Sequence, residues 1–234
     1  MKDLYAQSWD LYKCHTEAFT DDVEYYAQFI NGHHSLELFA GFGRVTNPLT
    51  ALGHTIDTVE LSEHFAKFIK LPVSRNHVGD VLTFQPRQKF SRIYAAYNSF
   101  CLLTTEVEIH RFFDNLAAWM PTGGRASLNY YHTDYWAEAV ESQIAYRNNV
   151  MVKYHSSFDL SARYTDKRGV WIDHYSIDNK KYAYRYPTRV YESGKDLAPY
   201  LDGTGLRLVD SIENFGRNNV TEPGWIDFIL EKDD

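Results

Sequence analysis

The stretch ELFAGFGRVTNP, Glu37 to Pro48, decides how the rest of the chain is read. The apolar run LELFA passes into a segment with glycine at 41 and 43, after which RVTNPLTALG reads as a helix. Pro48 suits that helix only in its first turn, where a backbone N–H has no intrahelical partner to lose. A short apolar run ahead of such a turn is the pattern of a buried parallel strand. In an open α/β sheet a ligand sits beyond the carboxyl ends of the strands, and glycines in the first strand-to-helix turn let it approach the backbone. Gly41 and Gly43 are therefore the first candidates for a binding site.

The pattern extends in both directions. Upstream, DDVEYYAQFING reads as an amphipathic helix with Val23, Tyr26 and Ile30 on one side and Asn31-Gly32 as its stop. Downstream, HTIDTVE is a strand ending on Glu60, and SEHFAKFIK opens with Ser62 as an N-cap and offers Phe65, Phe68 and Ile69 for packing. NHVGDVLTF gives a short strand and SRIYAAYNSF another with a polar end. In TEVEIHRFFDNLAAWM, residues Ile109, Phe112, Phe113, Leu116 and Met120 fall at helical spacing, and RASLNYY is the next strand. Such alternation predicts an α/β fold: a parallel sheet with flanking helices and right-handed crossovers.

After about Asn148 the texture changes. VMVKYHSSFDL, GVWIDHYSID and KYAYRYPTRVYES read as strands joined by polar turns, with Tyr182, Tyr184 and Tyr186 alternating at strand period. A small antiparallel elaboration is expected over about 149–195, covering the substrate pocket or forming a dimer face. A helical piece, KDLAPYLDGTG, then precedes LRLVDSIENF and a terminal strand, GWIDFILEK. With no repeat or low-complexity linker, 1–234 is expected to be a single domain.

Composition limits the function. A net charge of −7 argues against a phosphate-neutralising surface, so nucleic acid is not the expected partner. No run approaches the roughly 20 apolar residues of a membrane span, and no leader-like apolar core follows the N-terminus. The two cysteines, Cys14 and Cys101, form no disulfide framework, so a cytoplasmic location is expected. The aromatic share, 16% with 18 tyrosines, suits amphipathic pockets. No metal centre is expected.

The order of Glu37, the glycines at 41 and 43, Glu60 closing the second strand and Gly79-Asp80 after the third resembles the class I S-adenosylmethionine-dependent methyltransferases. The dinucleotide spacing GxGxxG fits less well, because Thr46 stands at its third glycine. The resemblance spans about Asp21 to Met120 and implies a Rossmann-like, seven-stranded sheet with helices on both faces, GWIDFILEK being the usual reversed last strand. It also implies S-adenosylmethionine as cofactor and a small-molecule acceptor. On that plan Glu60 accepts from the ribose hydroxyls, Asp80 from the adenine amino group, and Leu61 and Val81 line the adenine. Glu37 organises the glycine turn; Phe39, Ala40 and Tyr97 complete the cofactor wall, with Phe39 standing where the family carries a further glycine.

Small-molecule members such as glycine N-methyltransferase and the aminosugar N-methyltransferases close an N-terminal, tyrosine-bearing helix over the cofactor. WDLYKCH followed by DDVEYYAQFI resembles that arrangement, with Tyr12, Tyr25 and Tyr26 as the candidates. Asn98 matches one residue of the (D/N)PPY motif, whose prolines are replaced here by Ser99 and Phe100, so a nucleobase or protein-amide acceptor is not expected. For catalysis the candidates are Asn98 and His132, and for the substrate Tyr131, His174 and Tyr184. The activity expected is methyl transfer to an amine or hydroxyl of a small metabolite. The alternatives are a non-catalytic binder of the cofactor or nucleosides and, further off, a nicotinamide-dependent oxidoreductase; a homodimer is possible with any of them.

Overall fold

A computed structural model describes residues 5–135, 142–146, 150–161 and 166–233. Its main sheet is built from β1 (His34–Leu38), β2 (Thr55–Glu60), β3 (Asn76–Val78), β4 (Arg92–Ala95), β5 (Arg125–Tyr131), β10 (Leu206–Glu213) and β11 (Trp225–Lys232). The strand order is β10-β11-β5-β4-β1-β2-β3. From β5 to β3 the neighbours run parallel, while β11 is antiparallel to both β5 and β10. This is the seven-stranded plan with a reversed last strand.

Alternation along each strand sends side chains to two helical layers. Leu36, Leu38, Ile93 and Ala95 face the larger core with Ile109, Phe112, Phe113 and Leu116 of helix α5 (Glu106–Trp119). That helix has the expected apolar stripe and a capping box in which Thr105 and Glu108 satisfy each other's backbone amides. Each large apolar side chain buried in this layer contributes roughly 1.5–3 kcal/mol. Ile56 and Tyr94 face the opposite side, where they pack with Tyr26 of α2 (Val23–Phe29) and Leu49 of α3 (Thr46–Ala51). Pro48 lies in the first turn of α3, as its missing N–H requires.

Two local expectations are corrected. Ser62 stands at the N-cap position of the short helix α4 (Glu63–Ala66), but its hydroxyl makes no capping bond. Phe68 is 38% exposed rather than packed inside, because the helix has ended before it.

The second sheet is antiparallel, in the order β6 (Ser142–Tyr146), β7 (Val150–Asp159), β8 (Arg168–Ile177) and β9 (Lys180–Arg189). It thus includes a strand, β6, that sequence alternation does not announce. In its register Trp171 lies opposite Tyr186, Asp173 opposite Ser156 and Tyr184, and His174 opposite His155. Tyr175 of this sheet packs with Val152 on Leu11 of helix α1 (Trp9–Thr16). Among the described residues no helix is long and apolar enough to cross a membrane.

Candidate active site

At the carboxyl end of β1 the chain turns sharply. Phe39, Gly41 and Gly43 all have positive φ, at 55°, 57° and 81°. Phe39 adopts a conformation that costs a bulky residue on the order of 1–3 kcal/mol, and its ring packs on Phe112 at 6.1 Å. A Cβ on Gly43 would lie 2.9 Å from the Asn47 side chain. Asn47 cannot retreat freely, since its Oδ1 accepts from Lys70 N and its Nδ2 donates to Phe68 O. Beside Gly41, in contrast, an added Cβ would meet nothing within 4 Å.

Glu60 locks this turn. Its Oε2 accepts from Gly41 N and its Oε1 from Ser62 N, both at 2.7 Å. The side chain is therefore no solvated strand end; the residue is only 7% exposed. Beyond β3, Asp80 Oδ1 accepts from Leu82 N at 2.8 Å, Val81 is buried, and Leu61 is half-buried at the tip of β2. Glu37 points to the α2–α3 side of the sheet, where its Oε2 accepts from the hydroxyls of Thr46 and Tyr94. It bonds no backbone amide of the glycine turn among these contacts, and burial raises its carboxyl to about 7.

At the end of β4, Tyr97 and Asn98 occupy left-handed backbone geometry, with φ of 55° and 57°. Asn98 is clamped on both sides: its Oδ1 accepts from Tyr131 N and its backbone N donates to Asn129 Oδ1. Asn129 in turn donates to Asp227 Oδ2, whose other oxygen accepts from Ser127 and Tyr26. Tyr97 stacks on Trp225 at 4.9 Å and lies under the Arg44 guanidinium at 5.0 Å. Arg44, the residue after Gly43, is fixed by a two-pronged ion pair to Asp22. The glycine turn and the end of β4 are thereby braced against one another.

A pocket opens over Tyr97 and Asn98. Tyr12 and His15 of α1 form one wall, and Trp171, Asp173 and Tyr186 of the antiparallel sheet another. Tyr5 stacks on Tyr186 at 4.5 Å and packs at a tilt on Tyr12 at 4.4 Å, and the cavity they border measures about 40 Å³, room for a few waters. Asp173 is 1% exposed. Its Oδ1 accepts from Trp171 Nε1 at 3.0 Å and Tyr154 OH at 3.1 Å, while burial raises the carboxyl to about 7. Burial also pushes the His15 imidazole down to about 3, so the ring is neutral; it stacks on Tyr154 and shares a hydrogen bond with Tyr175.

Of the residues singled out from sequence, Tyr12, Tyr97 and Asn98 meet in this pocket, whereas Gly41, Gly43, Glu60, Leu61, Asp80 and Val81 gather at the ends of β1, β2 and β3. Others lie elsewhere. Tyr25 shares a hydrogen bond with Ser127 and Tyr26 donates to Asp227, so both hydroxyls serve the α2 face. His132 borders a separate groove; its Nε2 donates to Glu192 O and its Nδ1 accepts from Asp134 N, so both ring nitrogens are engaged away from the aromatic pocket. His174 falls on the outer face of β8, stacked on His155 and bonded to Ser157, because it is one residue out of register with Asp173. Tyr184 packs on Tyr175, and Tyr131 on Trp171 and Trp225, behind the wall.

Sequence reading missed Tyr5, His15, Trp171, Asp173 and Tyr186. The available signal was strand period: in VWIDHYS an acid stands between two aromatics at i±2, so whatever buries Trp171 and Tyr175 buries Asp173 with them.

No family model matches the sequence, and no curated protein matches it. The fold matches solved structures along its whole length. A sugar N-methyltransferase from a Streptoalloteichus species aligns with a TM-score of 0.75 at 16% identity, covering 100% of this chain and 96% of that one. An amino pentose methyltransferase from Micromonospora echinaspora, solved with S-adenosylmethionine bound, gives 0.73 at 14% identity over 99% of both. An S-adenosylmethionine-dependent methyltransferase from Clostridium acetobutylicum gives 0.71 at 15% identity over 99% of this chain and 100% of that one. The chain has the fold of these enzymes.

Proposed function

We propose that the protein is an S-adenosylmethionine-dependent methyltransferase acting on an amine or hydroxyl of a small metabolite. The observation that carries the reading is the bracing of the glycine turn against a closed aromatic pocket through Arg44 and Tyr97. Fold alone supports many activities. Here a site of the right chemistry for the cofactor stands beside one suited to an acceptor.

The residues present fit the cofactor. Glu60 and Asp80 offer carboxylates at the tips of β2 and β3, Leu61 and Val81 offer apolar surface, and the bare backbone at Gly41 faces open space. On this reading Glu60 receives the ribose hydroxyls, Asp80 and Val81 hold the adenine, and Tyr12 covers the amino-acid end. When bound, S-adenosylmethionine supplies an electrophilic methyl group. The chain's part is to hold the acceptor in line, exclude water with the rings of Tyr5, Tyr12, Tyr97 and Tyr186, and relieve the acceptor of a proton. Proximity and orientation of this kind contribute roughly 7–11 kcal/mol. The antiparallel sheet supplies the wall that sets acceptor specificity, and with the main sheet it is read as one catalytic unit.

Isothermal titration of dialysed protein is expected to show binding of both S-adenosylmethionine and S-adenosylhomocysteine, with NAD giving no heat. Absence of both signals sinks the assignment, and tight binding without turnover over a broad acceptor screen returns the protein to a non-catalytic binder.

A further inference from the structure

Two buried polar atoms of residues in the aromatic pocket have no hydrogen-bond partner among the described residues: Asp173 Oδ2 and Trp225 Nε1. Trp225 also borders the neighbouring groove, so its indole does not report on this pocket alone. Asp173 does. The donors that meet Asp173 in hydrogen-bond geometry, Trp171 and Tyr154, converge on Oδ1; the Tyr175 hydroxyl also stabilises the ionised carboxyl but is engaged with His15, so Oδ2 of this 1%-exposed residue has no hydrogen-bond partner among the described residues. A buried carboxylate oxygen without a partner is costly, and when the carboxyl is ionised the partner that satisfies it is a donor, best one that brings positive charge.

Among the described residues that line the pocket, none supplies such a charge. Asp173 is faced by Trp171 and Tyr175 on its own strand, Tyr154 on β7, Tyr186 on β9, and Tyr5, Tyr12 and His15 from the N-terminal segment. No lysine or arginine is among the residues lining the pocket. Tyr5, Tyr12 and Tyr186 pack together around the same space, and electron-rich rings of this kind attract a cation.

We propose that Asp173 holds the acceptor as an ammonium, its Oδ2 accepting an N–H from a primary or secondary amine, and so selects amines against alcohols and acidic molecules. The inference rests on the methyl-transfer reading of the site. In the reactive complex the ammonium passes one proton to Oδ2 and keeps the bonding pair as the lone pair that attacks; no oxidant, reductant or further reactant is needed. The raised carboxyl agrees with this role, since a group that titrates near neutrality can both pair with a cation and take its proton.

The test uses three probes small enough for the cavity: ethylamine, ethanol and acetate. Each is titrated into the protein with and without S-adenosylhomocysteine, following heat and the fluorescence of the tryptophans in the wall. The amine is expected to bind about tenfold or more tightly than the alcohol, with the carboxylate weakest. Asp173→Asn keeps an acceptor for Trp171 and Tyr154, and is expected to lose the amine preference while its S-adenosylhomocysteine affinity stays within about twofold. Equal binding of amine and alcohol, no binding of the amine, or unchanged amine preference in the folded variant overturns the proposal. Should the variant fail to fold, the amine-to-alcohol ratio of the unsubstituted protein decides. Failure of S-adenosylhomocysteine to bind counts against methyl transfer alone, because the amine arm without it is read separately.

Discussion

Asp227 in the main sheet and Asp173 in the antiparallel sheet are buried to the same depth, and burial raises both carboxyls to about 7. Their surroundings differ. Asp227 accepts from Tyr26 and Ser127 on one oxygen and from Asn129 on the other, three donors fixed by α2 and β5. Asp173, which lines the pocket, accepts on one oxygen, and the other has no hydrogen-bond partner among the described residues. Burial and titration therefore do not distinguish a brace from a receiver; the inventory of partners does. Asp227 holds the floor of the site, since Asn129 carries its hold on to Asn98.

The largest expected effect tests the brace. Asp227→Ala strands the Tyr26, Ser127 and Asn129 donors in a dry interior, each at a cost of roughly 1–3 kcal/mol, for a total of about 3–5 kcal/mol after partial relaxation. Denaturant melts should show this as a lower midpoint. Asp173→Asn is expected to melt at pH 8 within about 1 kcal/mol of the parent or above it, because it removes a desolvated charge and keeps the Trp171 and Tyr154 bonds. Equal losses for the two variants break the comparison.

The next effect is on pH. Glu37, Asp173 and Asp227 have folded-state pKa values raised to about 7, well above an unfolded carboxylate near 4. The folded state therefore holds protons that the unfolded state has released, so stability is fully present below about pH 4 and is lost as pH rises through 7. His15, lowered to about 3, works oppositely below an unfolded histidine value of about 6.5. The net expectation is a fold that strengthens from pH 8 to pH 6, by an amount on the order of 1–3 kcal/mol. Asp173→Asn should flatten that slope by up to about 1.4 kcal/mol per pH unit, and an unchanged slope would show that Asp173 does not titrate as described.

Glu60→Ala is expected to weaken S-adenosylhomocysteine binding about tenfold or more, as the loss of charge-assisted bonds to ribose requires. A strand-end acid in solvent would change stability by less than about 0.5 kcal/mol. Glu60 instead bridges Gly41 N and Ser62 N, so a loss of about 1–2 kcal/mol should accompany the affinity loss. Glu60→Gln separates the two, since its amide retains one acceptor for those backbone groups. Thermal melts with and without ligand read both quantities.

What was legible in the sequence followed from local period and turn chemistry. The glycine turn, Pro48 at a helix start and the stripe of α5 all rest on contacts within a few residues, whereas the reversed β11 was implied by the resemblance alone. Glu37, expected to organise the glycine turn, instead accepts from Thr46 and Tyr94, whose approach depends on the packing of α3 and β4 against β1. What was not legible is long-range: the hydrogen bonds of His132 to Glu192 and of Tyr25 to Ser127 span 60 and 102 positions of chain. Strand β6 was missed because SQIAY carries no alternation strong enough to mark it. Asp173 was passed over for a different reason: residue type was weighed above register, and a histidine was preferred to the acid beside it.

That choice gives the smallest and most discriminating prediction. His174 and Asp173 are adjacent on β8, so the pleat sends them to opposite faces: Asp173 toward Tyr154 and Tyr186, His174 toward Ser157 and the ring of His155. A truncation at 174 removes one hydrogen bond and one stacked pair on an open face, worth about 0.5–1 kcal/mol together, and leaves the pocket wall as it was. His174→Ala should therefore turn over any accepted amine with kcat/KM within about twofold of the parent, while Asp173→Asn reduces it by at least about tenfold. If the two substitutions acted alike, the sheet would be seated with its other face to the pocket. A one-residue slip is the cheapest rearrangement that exchanges those faces, and it would place Tyr182, Tyr184 and Tyr186 on the outside as well. Kinetics of the two neighbours thus measures the register of the antiparallel sheet as directly as it measures the role of the carboxylate.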